Sequence, residues 1–349
     1  MTASHPSSGE AAAKRVAELA DEAWQGTLEA DPTYATSLGD RRFDDRLADI
    51  DPAAHAAKRV RLAGLVERTR AVSPTELSPA DVVTRVALIA FLEMELDLET
   101  AGVAEWMVDP LEGPQVSFLN LASYQRVESP LDGDRMVTRW RAMGPFVDRH
   151  VANVLAALED GVVEPEAPIR SVIEELDDLL AQPIASWTLL EPAGIERPGW
   201  STADRERFAG GLETAVADLV RPAFVRYRDV LVERVLPRAR PDSRPGLGHV
   251  PGGTAAYRRL IRAHTSLDLS PEDIHAIGLA EVARIDAELA AAAGRAIGTT
   301  DRATAIARLR TDPALHFGRP DEVLAAAQSA LDRAIEAIPA WFGTLPQAA

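Results

Sequence analysis

Apolar positions in this 349-residue chain recur every three or four residues over long stretches, the spacing of one face of an α-helix. Near residues 271–293, Ile274, Ile277, Gly278, Val282, Ile285 and Leu289 form one stripe, with Asp273, Glu281, Arg284 and Glu288 mostly off it. Val323, Leu324, Ala327, Leu331, Ile335 and Ile338 repeat the pattern toward the C-terminus. No segment sustains the apolar–polar alternation of a half-buried strand. The punctuation agrees. Ser73-Pro74-Thr75-Glu76, Ser78-Pro79-Ala80-Asp81, Ser201-Thr202-Ala203-Asp204 and Ser270-Pro271-Glu272-Asp273 each pair a serine able to cap with an acid three residues on, often with proline at the first helical position. The spacing predicts helices over about 10–30, 53–71, 79–101, 133–160, 165–182, 201–236, 253–265, 271–293, 301–310 and 320–338.

The predicted fold is all-α, an elongated multi-helix array over residues 1–349, long enough for sub-lobes at 1–190 and 200–349. Trp106–Asn120, rich in proline and glycine, has room for one short hairpin. Glu191–Trp200 and Arg238–Gly253 read as irregular. The second, with four glycines and three prolines, reads as either a hinge or functional loop or a plain connector between helices.

Composition narrows the chemistry. An apolar share of 46% with 26% charged residues is that of a globular chain, and the 5% aromatic share favours helix over sheet. A net charge of −17 would repel nucleic-acid backbones and anionic membranes, so neither is an expected partner. The absence of cysteine excludes disulfides, zinc fingers and thiol catalysis. Met1–Glu10 lacks the apolar run of a signal peptide, and Val82–Leu98 is interrupted by Arg85, Glu93, Glu95 and Asp97, so a cytoplasmic location is expected.

None of the familiar catalytic spacings is complete. A zinc-peptidase helix needs two histidines at i and i+4 with a glutamate after the first, and the seven histidines offer no such pair. Glu272 and His275 supply only one Glu-x-x-His, where a carboxylate-bridged di-iron bundle wants two. Glu93, Glu95, Asp97 and Glu99 recur every second residue, which spreads them around a helix and reads as solvated surface. No catalytic residue, metal ligand or cofactor is therefore assigned. The segment Arg238–Tyr257 is the candidate for substrate contact. Gly252 and Gly253 permit close backbone approach, and His249 and Tyr257 supply polar tips.

Several segments together resemble one known family. Asp31-Pro32-Thr33-Tyr34-Ala35-Thr36-Ser37-Leu38-Gly39-Asp40 with Phe43-Asp44-Asp45-Arg46-Leu47, then Leu236-Pro237-Arg238-Ala239-Arg240 with Pro251-Gly252-Gly253 and Tyr257, are similar to its signatures. So are the run from Thr265 to Val282, Asp312-Pro313-Ala314-Leu315-His316-Phe317 and Trp341-Phe342-Gly343-Thr344-Leu345-Pro346. The family is bacterial domain-of-unknown-function family 885, whose members resemble helical zincin-type metallopeptidases. The resemblance implies that members continue beyond the equivalent of Ala349, into a zinc helix of the form His-Glu-x-x-Pro-Gly-His-His that these 349 residues lack. It further implies that this chain is the N-terminal helical half of a peptide hydrolase, inactive alone, with zinc expected only in longer relatives. A peptide would be the substrate of the intact protein, and self-association or a separate C-terminal half the expected partners. The alternative is a non-enzymatic helical scaffold or interaction protein.

Overall fold

Short polar side chains followed by proline open several of the helices. Proline presets the first helical φ, and the cap accepts an orphan backbone N–H. A computed structural model describes residues 8–345. After α1 (Ser8–Ala30), Asp31 caps α2 (Pro32–Ser37) by accepting from Thr33 and Tyr34 N–H, and Asp51 caps α3 (Pro52–Arg70). Ser78 caps α4 (Pro79–Ala101), which Gly102 closes in the left-handed conformation at φ +65°. α5 (Pro114–Tyr124) is followed by α6 (Pro130–Glu159), opened by a reciprocal capping box of Ser129 and Asp132. α7 (Glu166–Ala181) and the single-turn α8 (Glu191–Gly194) lead to α9 (Thr202–Ala215), capped by Ser201. A wider π-type turn, Val216–Val220, carries α9 directly into α10 (Arg221–Val230). α11 (Gly253–Thr265), α12 (Pro271–Ile297), α13 (Arg302–Thr311) and α14 (Pro320–Trp341) complete the chain.

The all-α expectation holds, and no strand occurs among the described residues. One detail differs. The hairpin with room in Trp106–Asn120 does not form, because Pro114 starts α5 there and buries Phe118 and Leu121. Of the two overlapping serine–proline starts, only one of which need open a helix, Ser78 caps the helix expected over 79–101, and Ser73-Pro74-Thr75-Glu76 makes one tight turn, Pro74–Glu76, with no side-chain cap bond.

The chain divides into two units, Met1–Pro271 and Glu272–Ala349. The irregular Glu191–Trp200 stretch lies inside the first. In that unit α1, α3 and α4 close around Leu19, Leu65 and Leu92, while α5 to α10 enclose Trp140, Trp187, Phe224 and Tyr227. Arg139 is fully buried on α6. It donates to Thr36 Oγ1, Gln125 Oε1 and the carbonyls of Pro32 and Phe43, tying α2 and the following loop to α6. Burial pulls its pKa down to about 10, still far above neutrality.

The second unit has a different surface. Among its described residues only Ala293 and Ala305 are buried, and every residue of α14 is exposed. No helix of the described residues is long and apolar enough to cross a membrane.

Candidate functional site

The acids of α4 are not a solvated face. Asp97 is 3% exposed and receives the guanidinium groups of Arg259 and Arg262 from α11. Glu99 is also buried, and Glu93 pairs with Arg70. The spacing does spread these residues around the helix, but α3 and α11 pack on α4 and bring cations to them. A buried carboxylate persists only when paired.

The densest of these pairings joins α3 to α4. His55 Nδ1 lies 2.5 Å from Glu99 Oε1, and Lys58 Nζ lies 2.8 Å from Glu99 Oε2. Burial opposes ionisation of Glu99. The hydrogen bonds from His55 and Lys58 overcome it and bring the pKa down to about 2. An ionised carboxylate only accepts, so the His55 Nδ1 carries a proton and donates it to Glu99. That bond raises the pKa of His55, against the opposing effect of burial. The other ring nitrogen, Nε2, is buried without a hydrogen-bond partner among the described residues.

His55, Glu99 and Glu105 each place one metal-type donor atom within 4.8 Å of the others. Both carboxylates already face fixed cations, since Arg59 lies 3.0 Å from Glu105 Oε1 and Lys58 sits on Glu99. A divalent ion would stand beside two positive charges, so the arrangement is an ion-pair cluster joining α3 to α4 and the turn that follows it.

His55 and Lys58 also line a cavity of about 780 Å³ walled by the end of α1, the start of α2, α3 and α5. Ile50, Leu111 and Tyr124 give it apolar surface, and Glu29, Asp31, Asp49 and Glu112 give it carboxylates. Asp31 and Asp49 are engaged with backbone N–H groups of the turns that follow them. Neither Glu29 nor Glu112 is ion-paired among the described residues. A smaller cavity of about 220 Å³ shares Ile50, Glu112 and Ser117 with it and reaches His150. That ring is 8% exposed, its Nε2 sits 3.2 Å from the buried Tyr227 hydroxyl, and burial pushes its pKa down to about 4.

The residues singled out in Arg238–Tyr257 lie elsewhere in the first unit. His249 is exposed at the end of a tight turn, Leu247–His249. Gly252 is left-handed at φ +72° and serves as the N-cap of α11. Gly253 is buried, and a Cβ there would stand 1.7 Å from the Leu247 carbonyl oxygen, so the chain's own backbone makes the close approach that this glycine permits. Tyr257 is 40% exposed on α11. The segment is pinned rather than hinged. Arg240 holds the carbonyls of Val163, Arg244 and Gly246, and Asp242 accepts the Ala167 N–H at the start of α7. His275, on α12, is exposed.

A family model described as "Bacterial protein of unknown function (DUF885)" matches residues 32–349. The chain belongs to DUF885. It is also similar in fold to the crystal structure of a candidate lipoprotein from Colwellia psychrerythraea, with a TM-score of 0.80 at 18% identity over 97% of this chain. The chain spans 61% of the length of that protein. No curated protein matches it. The DUF885 signature residues near the N-terminus have structural duties here. Asp31 and Asp40 cap short helical segments, and Asp44, itself buried, accepts from Thr36 beside Arg139. The central signature behaves alike, with Arg238 on Glu159 and the Leu158 carbonyl and Arg240 on the Val163 carbonyl.

What periodicity could not reveal is the His55–Glu99 pair, because its members stand 44 residues apart and neither belongs to a local motif. Arg139 has the same character, a lone arginine whose partners lie up to 107 residues away.

Proposed function

We propose that this DUF885 chain is the helical portion of a peptide-hydrolase-type assembly whose hydrolytic residues lie in further polypeptide that docks on residues 272–345. One observation carries the reading. α12 and α14 present Ile277, Val282, Ile285, Leu331 and Ile335 at more than half exposure, with Trp341 82% and Phe342 62% exposed. Full burial of such a side chain is worth about 1.5–3 kcal/mol, so each of these exposed side chains gains from a cover. The longer fold relative, of which this chain spans 61%, supports further polypeptide as the cover. The peptidase element rests on the family resemblance alone. No His-Glu-x-x-His occurs in the 349 residues, so these residues are expected to hold no stoichiometric zinc and to show no chelator-sensitive peptidase activity. In the assembly, the edge of α11 with His249 and Tyr257 would contribute to one wall of the peptide channel, with Gly252 and Gly253 shaping its backbone.

Light scattering of the purified chain, together with binding of an apolar dye, tests the docking face. The wild type is expected to self-associate as concentration rises and to bind the dye. A Trp341→Ser, Phe342→Ser variant should do both less. A wild type that stays monomeric at high concentration without binding dye would leave the chain a self-sufficient scaffold and overturn the proposal.

A further inference from the structure

Residues 46–51 lead into α3 without a turn or bend of their own. The stretch is tied at three points. Arg46 N–H donates to the Phe43 carbonyl, Asn153 of α6 donates to the Ile50 carbonyl, and Asp51 caps α3. Between those ties the backbone is unpaired. Among the described residues no hydrogen bond reaches the N–H of Leu47, Ala48, Asp49 or Ile50, or the carbonyls of Leu47, Ala48 and Asp49. Burying such a run of orphan groups would cost a hydrogen bond for each, so they meet solvent instead. The setting allows it, since Ala48, Asp49 and Ile50 border two cavities, of about 780 Å³ and about 560 Å³.

We propose that residues 47–50 take an extended, basic protein segment as an added strand, laid in the larger cavity. Extended backbone with free donors and acceptors is a template for another strand, which would lie about 4.8 Å away. An extended chain offers the groups of alternate residues to one edge. Asn153 holds the edge of Ile50, which leaves that of Leu47 and Asp49 for the incoming strand. Charge selects the partner. Glu29, Asp31, Asp49 and Glu112 line the larger cavity, and its two cations, His55 and Lys58, already sit on Glu99. That balance favours lysine or arginine in the segment and repels acidic side chains, whatever the arrangement of the lining. Nothing in this surface depends on the hydrolase reading or on the face at residues 272–345, so either proposal can fail alone.

Calorimetric titration of the full chain with acetyl-Val-Lys-Val-Lys-Val-amide provides the test. The lysine peptide should bind. Its counterpart N-methylated at every internal residue, which cannot donate to the strap, should bind about tenfold more weakly or worse. Replacing both lysines of the peptide by glutamate should weaken binding to a similar degree. On the protein, Asp49→Pro removes a backbone donor and should cost about tenfold, whereas Asp49→Asn keeps the donor and should stay within about threefold. Should Asp49→Pro disturb the fold, which circular dichroism would reveal, the N-methylated peptide still reads the backbone contact on the wild type. Absence of binding, equal binding of the N-methylated peptide, or a glutamate peptide that binds as tightly as the lysine one would overturn the proposal.

Discussion

On α6 the apolar stripe of Met136, Trp140, Met143 and Val147 is sealed, with α9 and α10 packed along the helix. On α14 the equally regular stripe of Val323, Leu331 and Ile335 lies in the open. The hydrophobic pattern is alike in the two helices, yet one is core and the other surface. An amphipathic period states that a helix has a face to bury. It does not state that the same 349 residues provide the cover. The first unit supplies its own cover from α1 to α11, whereas the described residues of the second bury two alanines.

Truncating one side chain from each stripe sharpens the contrast most. Trp140→Ala should cost about 3–5 kcal/mol, the usual cost of emptying a large aromatic site in a closed core. Leu331→Ala should stay within about 0.5 kcal/mol, as expected of an exposed position. Urea denaturation of the two variants measures both. A large loss from Leu331→Ala would mean that α14 is covered after all.

A smaller effect separates two glycines of the same loop. Gly253→Ala forces a methyl onto the Leu247 carbonyl and should destabilise by about 1–3 kcal/mol. At Gly246 nothing lies within 4 Å of an added Cβ and φ is negative, so alanine there should be close to neutral. Thermal melts of the pair would show whether this loop is the pinned element its hydrogen bonds describe.

Helix existence and type were legible because caps, prolines and a 3.6-residue period are local signals. Asp51 before Pro52 or Ser78 before Pro79 can be read without knowing any neighbour. What those helices touch was not legible. Glu93 to Glu99 looked solvated because the cations that bury Asp97 and Glu99 arrive from α3 and α11, up to 165 residues away. The cavity residues come from four separate elements and share no motif. The glycines of Arg238–Tyr257 stood out because they are concentrated, but concentration alone does not separate backbone packing from ligand contact.

Two histidines of the first unit give the most diagnostic contrast, because their shifts have opposite sign. His150 is neutral in the fold with a pKa of about 4, below the roughly 6.5 of an unfolded chain. As pH falls through that interval the unfolded state takes up a proton that the folded state refuses, so stability drops. His150→Phe should flatten this part of the profile. The pKa of His55 is raised by Glu99, so its contribution is complete below about 6.5 and fades as pH rises through the raised value. Glu99, down at about 2, contributes above roughly 4.3 and loses that contribution as pH falls further. Urea midpoints measured from pH 8 to pH 3, wild type against His150→Phe and Glu99→Gln, separate the three windows. A profile unchanged by His150→Phe would contradict the buried neutral assignment.

The central claim, that the first unit is closed by its own helices while the second awaits a cover, is tested most directly by native-state hydrogen exchange on the isolated chain. Amides of α6 and α10 should exchange only through global unfolding, whereas those of α14 should exchange orders of magnitude faster through local opening. Protection of α14 equal to that of α6 in a demonstrably monomeric sample would contradict it.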